Sequence, residues 1–443
     1  MYRGAGVAIV LFALGGRADA REWTVGGAGA DFPLLSPAIA AAGPNDVIRV
    51  RGGVYREDLV VDKPIAIRGE HGPVLFGTGV GSVVTIAANG CEVSGLTIEG
   101  SGTGQTNEMD AAIQVRSSSN RIVGNHMRRV FYGVVVVNGT RNDIAENVIE
   151  GLRDLPFGRR GDGIYLYRAP GNAVEHNRVS GERDAIYFQY ASGGRATGNI
   201  VSDSRYGLHD MFSDDTTIAG NVFADSVVGA NVMNSRRIRM LENRIQRNRG
   251  VPGIGLTLKD CDDSTIERNV ILENARGLLL DGSSTNRFTA NIFRANDTAV
   301  TLFSSAEGNA FSENRFDDNW SDVVLSGADS GTRWSIDGRG NSWSRYGGFD
   351  FDGDGIGDSG HSVVGAFERL EGSNPAVRIF LQSPAAAGLE LAARLAGAPV
   401  DHAVDPHPIV PAGSRSNATV GWMIGAVAAL GIIFRRGGWS CSR

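Results

Sequence analysis

The sequence predicts an all-β protein: a right-handed, single-stranded parallel β-helix of about a dozen rungs, with a cap at each end. Two observations support this fold class. Asparagine recurs with a period of 22 residues ahead of short apolar segments, and apolar residues keep fixed positions around each asparagine. A repeat of this kind makes the 443 residues one long repeat domain instead of two or three ordinary domains.

The asparagine repeat runs through most of the chain. Its members are Asn125, Asn147, Asn177, Asn199, Asn221, Asn243, Asn269, Asn291 and Asn314. Their successive spacings are 22, 30, 22, 22, 22, 26, 22 and 23 residues, which one period with two insertions explains. In a turn, an asparagine side chain bonds backbone groups and tolerates a left-handed conformation. We therefore assign these asparagines a structural role, stacked on one another from rung to rung.

Two columns of apolar residues accompany the asparagines. Three positions before each asparagine stand Ile122, Ile144, Val174, Ala196, Ile218, Met240, Ile266, Phe288 and Phe311. Two positions after it stand Met127, Ile149, Val179, Val201, Phe223, Ile245, Ile271, Phe293 and Phe316. These columns are expected to point inward, because stacked rungs bury one continuous core. The right-handed coil follows from the handedness of parallel crossovers.

A third strand per rung follows a small residue eight positions after each asparagine, as at Gly163, Ala185 and Gly207. Alternate strand residues share a face, so the second and fourth positions after the small residue should point outward. The second-position column is Ile113, Val135, Tyr165, Tyr187, His209, Asn231, Thr257, Leu279 and Thr301. The fourth-position column is Val115, Val137, Tyr167, Gln189, Met211, Met233, Lys259, Asp281 and Phe303.

A soft metal site is the first chemical hypothesis that these columns suggest. His209 and Met211 share one face of a strand, and Met233 follows Met211 by 22 residues, which places it on the next rung. One imidazole and two thioethers suit Cu(I), held transiently at a partly exposed site. The alternative is that the methionines are apolar cover under a loop.

Asp210 stands between two of these residues at an inward position, in a column otherwise filled by Leu166, Phe188 and Val232. A buried acid needs a partner. Two interpretations are open: the carboxylate braces His209 from behind, or the strand bulges.

A face for a ligand or partner is predicted on the preceding rungs. Tyr165, Tyr167, Tyr187 and Gln189 point outward there, and the longest insertion adds a loop over 153–160 on the same side, with Arg159 and Arg160. Long loops on a rigid scaffold often carry function. A tolerated insertion is the alternative.

An acidic loop near the end of the repeats resembles the start of a calcium-binding loop. Asp350, Asp352, Asp354 and Asp358 stand at positions 1, 3, 5 and 9, and a glycine stands at position 6. The bidentate acid expected at position 12 is missing, because His361 is there. Calcium is the candidate ion, and a solvated turn is the alternative.

Both ends of the chain carry apolar runs. Residues 1–20 fit a signal peptide that ends in a small-x-small cleavage pattern. Residues 418–434, followed by two arginines, fit a short C-terminal membrane anchor, which would tether an exported domain to the inner membrane. Between them we assign 21–110 to an N-terminal cap with the first rungs, 111–330 to repeats, 331–400 to a C-terminal cap and 401–417 to a linker.

Composition limits the functional classes. The net charge of −6 offers no basic surface for nucleic acid. Three cysteines do not form a disulfide framework, and Cys91 and Cys261 lie far apart in the repeat, so free thiols are expected.

Several phrases resemble the NosD family. They are Gly53–Glu57, Asp62–Gly69, Gly161–Gly171, His209–Ser213, Gly229–Ser235 and Gly340–Ser344. The resemblance spans roughly residues 40–400 and implies a periplasmic accessory protein of nitrous oxide reductase maturation. It also implies copper as cargo, an ABC transporter ATPase and its membrane subunit as partners, and exchange with a copper chaperone and nitrous oxide reductase. Two departures are Asp210, where the family has an aromatic residue, and the apolar run after residue 417.

A catalytic role is the main alternative to this non-enzymatic interpretation. Polysaccharide lyases, hydrolases and alginate-type epimerases use the same fold, with acids and bases on stacked rungs. Asp184, His209, Asp214 and Asp215 would be the groups available. A third possibility is a surface polysaccharide-binding module, because fold does not determine function.

Overall fold

The computed structural model describes residues 20–104, 109–328, 331–380, 383–396 and 403–410. Parallel strands of these residues form three long sheets of 13, 12 and 13 strands, in which each strand pairs with the strand one rung before and one rung after. The parallel β-helix expected from the repeat is therefore confirmed. Within the described residues, no helix is both long and apolar enough to cross a membrane.

Each rung contributes one strand to each sheet. Sheet 1 contains Glu22–Val25, Val47–Val50, Ala66–Gly69, Glu92–Ser94, Arg121–Val123, Asp143–Ala145, Ala173–Glu175, Arg195–Thr197, Thr217–Ala219, Arg239–Leu241, Thr265–Glu267, Arg287–Thr289 and Ala310–Ser312. Sheet 2 contains Leu59–Val61, Val84–Ile86, Ala111–Val115, Tyr132–Val137, Ile164–Tyr167, Asp184–Gln189, Tyr206–Met211, Val228–Met233, Ile254–Lys259, Arg276–Asp281, Thr298–Phe303 and Ser321–Ser326. Sheet 3 contains Val54–Arg56, Val74–Phe76, Thr97–Glu99, His126–Arg128, Val148–Glu150, Arg178–Ser180, Ile200–Ser202, Val222–Ala224, Arg244–Gln246, Val270–Leu272, Ile292–Arg294, Arg315–Asp317 and Ser342–Trp343.

The two predicted apolar columns lie in the core, together with inward residues of sheet 2. Every member of the column that begins at Ile122 is fully buried, and the column that begins at Met127 is equally inaccessible. Large rings stack at the C-terminal end, where Phe288 lies 4.3 Å from Phe311 and Phe293 lies 5.0 Å from Phe316, measured between ring centroids. Each rung packs its inward residues only against those of the neighbouring rungs, and repetition of this contact makes the core continuous.

Asparagine ladders hold the turns together. In the predicted ladder, the Asn199 side-chain oxygen accepts the backbone N–H of Asn177 at 2.9 Å, and its amide donates to the Val174 carbonyl at 2.8 Å. The same bonds recur rung after rung, which confirms the structural role. Two further ladders occupy other turns, one that includes Asn120 and Asn142, and one formed by Asn248, Asn274, Asn296 and Asn319.

The first members of the two outward columns predicted on sheet 2 point inward. Ile113 and Val115 were expected to point outward, but both are fully buried in the main core. The register pairs Ile113 with Val134 and Gln114 with Val135, so Gln114 takes the outward position on this rung. A one-residue shift moves a whole strand to the opposite face, and the period alone does not reveal it.

Helical segments cap the two ends. The helix Leu35–Ala41 covers the first rungs, and Ala366–Ser373 and Pro384–Ala396 follow the last, with 3-10 segments at Phe157–Arg159 and Pro375–Phe380. Within the stretch predicted to be a linker, the strand Val404–Asp405 pairs antiparallel with His361–Ser362. The buried Asp405 accepts bonds from the Asn341 backbone and the Trp343 indole, so residues 403–410 of this stretch are part of the cap. The expected signal peptide, except residue 20, and the expected anchor at 418–434 lie outside the described residues.

Candidate functional site

His209 lies in the middle of sheet 2, on the strand Tyr206–Met211. Its register partners are Tyr187 on the preceding rung and Asn231 on the following rung. The side chain points outward, as its column predicts, but it is only 7% exposed because the rings on either side cover it. This burial fixes the imidazole before any ligand arrives.

One ring nitrogen of His209 is already bonded. Its Nδ1 lies 3.0 Å from Oδ2 of Asp184, a fully buried carboxylate on the strand of the preceding rung. Arg205 donates to both oxygens of the same carboxylate, at 2.7 to 2.9 Å. Burial by itself raises the pKa of Asp184, but the bonds from His209 and Arg205 outweigh it and hold that pKa below its usual value.

The other ring nitrogen has no partner in the described structure. Nε2 of His209 is buried and makes no hydrogen bond with any described residue. Buried polar atoms are rarely left unbonded, and an exception calls for an explanation such as a missing ion. A neutral imidazole with one nitrogen on a carboxylate and the other unbonded has the arrangement of a metal-ligating histidine.

Tyr187 forms the floor beneath His209. The two rings are stacked with planes 4° apart and centroids 4.2 Å apart, and Tyr206 meets the imidazole edge-on at 5.0 Å. The Tyr187 hydroxyl lies 3.9 Å from the Met211 sulfur, within reach of a weak bond. One tyrosine therefore touches both the imidazole and the first thioether.

The two methionines occupy adjacent rungs at one register position. Met211 pairs with Met233, and Met233 pairs with Lys259 on the rung beyond. Both methionines are half-buried, whereas Lys259 is exposed. The structure thus brings His209, Met211 and Met233 to one patch of sheet 2, as the period predicts, with the thioethers at its accessible edge.

Asp210 does not brace His209. It points into the core, where it is fully buried and accepts a bond from the Ser235 hydroxyl at 2.9 Å. Burial raises its pKa to about 7. The strand Tyr206–Met211 pairs in continuous register from Leu208 onward, so the predicted bulge at this acid is absent from the described strand. The bracing carboxylate is Asp184 instead.

The tyrosine face is more closed than its sequence suggests. Tyr165 and Tyr187 are each only 8% exposed and stack at 4.9 Å, and the Tyr165 hydroxyl bonds Gln189. Tyr167 is half-buried, and Leu152 at the start of the insertion packs against this cluster. The insertion therefore covers part of the face.

The two arginines predicted on this face differ in exposure. Arg159 is exposed, but Arg160 is buried, and its guanidinium donates to the carbonyls of Leu155 and Arg153 within the loop. Arg160 thus shapes the insertion and is not a surface group.

Three carboxylates of the acidic loop come together. Asp350, Asp352 and Asp354 place one oxygen each within 4.8 Å of one another. Asp358 is outside this group and accepts the Phe351 backbone N–H. The Asp350 oxygens also accept backbone N–H groups of Gly353 and Gly355, which a turn uses without any ion. Calcium binding at this loop stays a prediction.

Sequence reasoning placed Asp184 only in the catalytic alternative and missed its partner Arg205. A repeat signal was available for both, because Asp162 and Asp184 stand 22 residues apart, as do Arg183 and Arg205. In the structure Arg183 bonds Asp162 as Arg205 bonds Asp184, on adjacent rungs. Two ion pairs, each with a buried carboxylate and a partly exposed arginine, thus lie on adjacent rungs beside the tyrosine and histidine column.

Comparison with known proteins finds relatives that match over most of the chain. A relative from Pseudomonas aeruginosa, called "Probable ABC transporter binding protein NosD", is 40% identical over 374 residues, covering 79% of this chain and 87% of the relative. The chain belongs to the NosD family. A NosD relative of the same description from Stutzerimonas stutzeri is 40% identical over 354 residues, covering 76% of this chain and 80% of the relative.

The NosD family model is described as "Periplasmic copper-binding protein (NosD)" and matches residues 149–348, which include the whole His209 patch. Among solved structures, the surface adhesin PfbA of Streptococcus pneumoniae superposes with a TM-score of 0.53 at 12% identity. That match covers 66% of this chain and 88% of PfbA. At such low identity the likeness concerns the β-helix fold alone.

Proposed function

We propose that this NosD-family chain is a non-catalytic periplasmic protein that binds copper transiently, as Cu(I), through His209, Met211 and Met233. The single observation that carries the proposal is the buried, unbonded Nε2 of His209 on the same outward patch of sheet 2 as Met211 and Met233. The description of the family as periplasmic and copper-binding supports the compartment and the metal.

The ligand types favour Cu(I) over harder ions. Thioether sulfur is a soft donor and imidazole is intermediate, a combination that selects monovalent copper over magnesium or calcium. The nearest carboxylate, that of Asp184, is taken up by Arg205 and His209 and does not compete as a hard ligand. Met211 and Met233 are half-buried, so an ion that they hold would stay accessible for transfer to another protein.

The partners follow from the relatives. Two relatives are called probable ABC transporter binding proteins, and we extend that association to this chain, with the transporter ATPase and its membrane subunit as contacts. We further infer that the copper comes from a copper chaperone and serves maturation of nitrous oxide reductase. These roles rest on the family resemblance, and the geometry of the His209 patch supports the copper part of them.

The catalytic alternative has weaker support in the geometry. Asp184 and His209 are in contact, but Asp214 and Asp215 lie on a turn and bond Arg237. The acid–histidine pair is therefore without a second carboxylate from this set. A carbohydrate-active β-helix would need a different group to complete its acid–base pair.

Cu(I) binding to the purified chain, measured by competition with a chromophoric chelator, tests the proposal. We expect one tight equivalent in the native protein, lost in His209→Ala and in the double variant Met211→Leu/Met233→Leu. His126→Ala removes an exposed histidine of sheet 3 that pairs with Glu150, and it should bind like the native protein. Binding that is absent, or equal in all variants, contradicts the proposal.

A further inference from the structure

We propose that Asp184, clamped by Arg205, is the positioning residue of the copper site: it holds His209 in the tautomer that leaves the Nε2 lone pair available to a metal ion. This inference rests on the proposed copper function and adds a residue that does not itself touch the metal. Such a role explains why the imidazole of His209 is buried although its Nε2 makes no hydrogen bond with a described residue.

The bonds around Asp184 determine which nitrogen of His209 carries the proton. Arg205 donates to both carboxylate oxygens, and Oδ2 also lies 3.0 Å from His209 Nδ1. A carboxylate paired with a guanidinium acts as an acceptor, so Nδ1 must be the donor in this contact. The proton of a neutral imidazole is thereby assigned to Nδ1, and the lone pair to Nε2.

The ring also has little freedom to rotate away from this arrangement. Tyr187 covers one face of the imidazole at 4.2 Å, and Tyr206 contacts it edge-on. The opposite tautomer would place an N–H at the buried Nε2 position, where no described residue accepts a bond. It would also turn the unbonded Nε2 into a donor, which cannot ligate a cation.

The preceding rung offers an internal comparison. Asp162 is as fully buried as Asp184 and is bonded by Arg183 as Asp184 is by Arg205. The position 25 residues after Asp162, which corresponds to the position of His209 after Asp184, is occupied by Tyr187. A buried Asp–Arg pair can therefore belong to the scaffold alone. The Asp184 pair differs in the additional bond to a histidine.

This comparison provides a matched pair of variants. Asp184→Asn and Asp162→Asn each replace a buried, arginine-bound carboxylate by an amide of the same shape. Both should cost stability, because each leaves a partly buried guanidinium without its charge partner. Asp184→Asn alters the group that bonds His209 directly, and its amide can either accept from Nδ1 or donate to it. Asp162→Asn leaves that direct contact in place.

Two measurements on the purified full-length chain distinguish the outcomes. The first is Cu(I) affinity, which we expect to fall about 10- to 100-fold in Asp184→Asn and to stay near the native value in Asp162→Asn. The second is ¹⁵N NMR of the metal-free histidines, assigned with His209→Ala. We expect an unprotonated Nε2 in native His209 and a protonated or mixed Nε2 in Asp184→Asn.

Native affinity in Asp184→Asn, or an equal loss in both variants, would overturn the positioning role while leaving copper binding intact. A protonated Nε2 in the neutral native imidazole would overturn it as well, and that result does not depend on whether a variant folds. Absence of Cu(I) binding by the native chain would instead refute the proposed function on which this inference rests.

Discussion

The Tyr187 ring lies directly beneath the His209 imidazole, with planes 4° apart, and its hydroxyl reaches to 3.9 Å from the Met211 sulfur. The ring and the hydroxyl can be separated by mutation. Tyr187→Phe keeps the stacked ring and should retain Cu(I) affinity within about threefold, because a weak bond to sulfur contributes little. Tyr187→Leu removes the flat floor, frees the imidazole to tilt, and should weaken Cu(I) binding about tenfold or more.

Chelator competition on both Tyr187 variants, beside their melting temperatures, tests this prediction. Burial raises the pKa of Tyr187 above its usual value, so the hydroxyl stays protonated at neutral pH and supplies no anionic ligand. A Tyr187→Phe variant that lost copper as completely as Tyr187→Leu would show that the hydroxyl is itself a ligand, against the present account.

The asparagine ladder should be a major source of stability. Asn199→Ala removes the acceptor of the Asn177 N–H and the donor to the Val174 carbonyl, both inside the helix. An unsatisfied buried group costs about 1–3 kcal/mol, so the loss in unfolding free energy should be several-fold larger than for Thr197→Ala, a half-buried residue of the same rung. Chemical denaturation gives both values. Comparable losses in the two variants would contradict a major contribution of the asparagine ladder to stability.

Glu182 should make the stability depend on pH. It is fully buried, and neither carboxylate oxygen bonds any described residue. Burial, reinforced by the nearby Asp162 charge and opposed by Arg160, raises the pKa of Glu182 well above its usual value. The folded state therefore keeps the proton at pH values at which the unfolded chain releases it. The stability this proton confers is complete below pH 4.5 and declines as pH rises toward the folded pKa.

Glu182→Gln removes this pH dependence without losing a hydrogen bond. We expect little stability difference from the native chain near pH 4.5. Above that pH the unfolding free energy of the variant should rise relative to that of the native chain by about 1.4 kcal/mol per pH unit, until the pKa of Glu182 in the folded state is reached. Denaturation at several pH values measures the trend, with the exposed Glu146→Gln as control. If the difference in unfolding free energy between Glu182→Gln and the native chain did not increase with pH, the raised pKa of Glu182 would be refuted.

The acidic loop gives a separate prediction about calcium. If the three clustered carboxylates bind the ion, millimolar calcium should raise the melting temperature of the native chain, and magnesium should do so less. Asp352→Asn should reduce that shift, because its carboxylate is one of the clustered three. An unchanged melting temperature would identify the loop as a solvated turn, whose carboxylates serve only the backbone bonds of Gly353 and Gly355.

Much of the fold could be predicted because a β-helix repeats its local rules. The inward columns at Ile122 and Met127 and the ladder at Asn199 follow from one period, and each rung contacts only its neighbours. The register change at Ile113 could not be predicted, because a shift by one residue preserves the composition of the strand.

The site was predictable only in part, because the period aligns residues within one column but does not show contacts between different columns. Residues aligned by the period, such as His209 with Met211 and Met233, were brought together correctly. The contact of Asp184 with His209 crosses from one rung to the next at a diagonal offset of 25 residues, which no single column displays. Asp210, next to the histidine in sequence, points to the opposite face and has no part in that contact.

The ligand set itself is the most direct test of the account. Copper K-edge X-ray absorption of the chain loaded with one equivalent of Cu(I) reports the atoms bound to the metal. We expect one nitrogen and two sulfur scatterers, with the sulfur contribution lost in Met211→Leu/Met233→Leu and the nitrogen contribution lost in His209→Ala. A first shell of oxygen and nitrogen alone, or one that is unchanged in these variants, would contradict the copper site proposed on sheet 2.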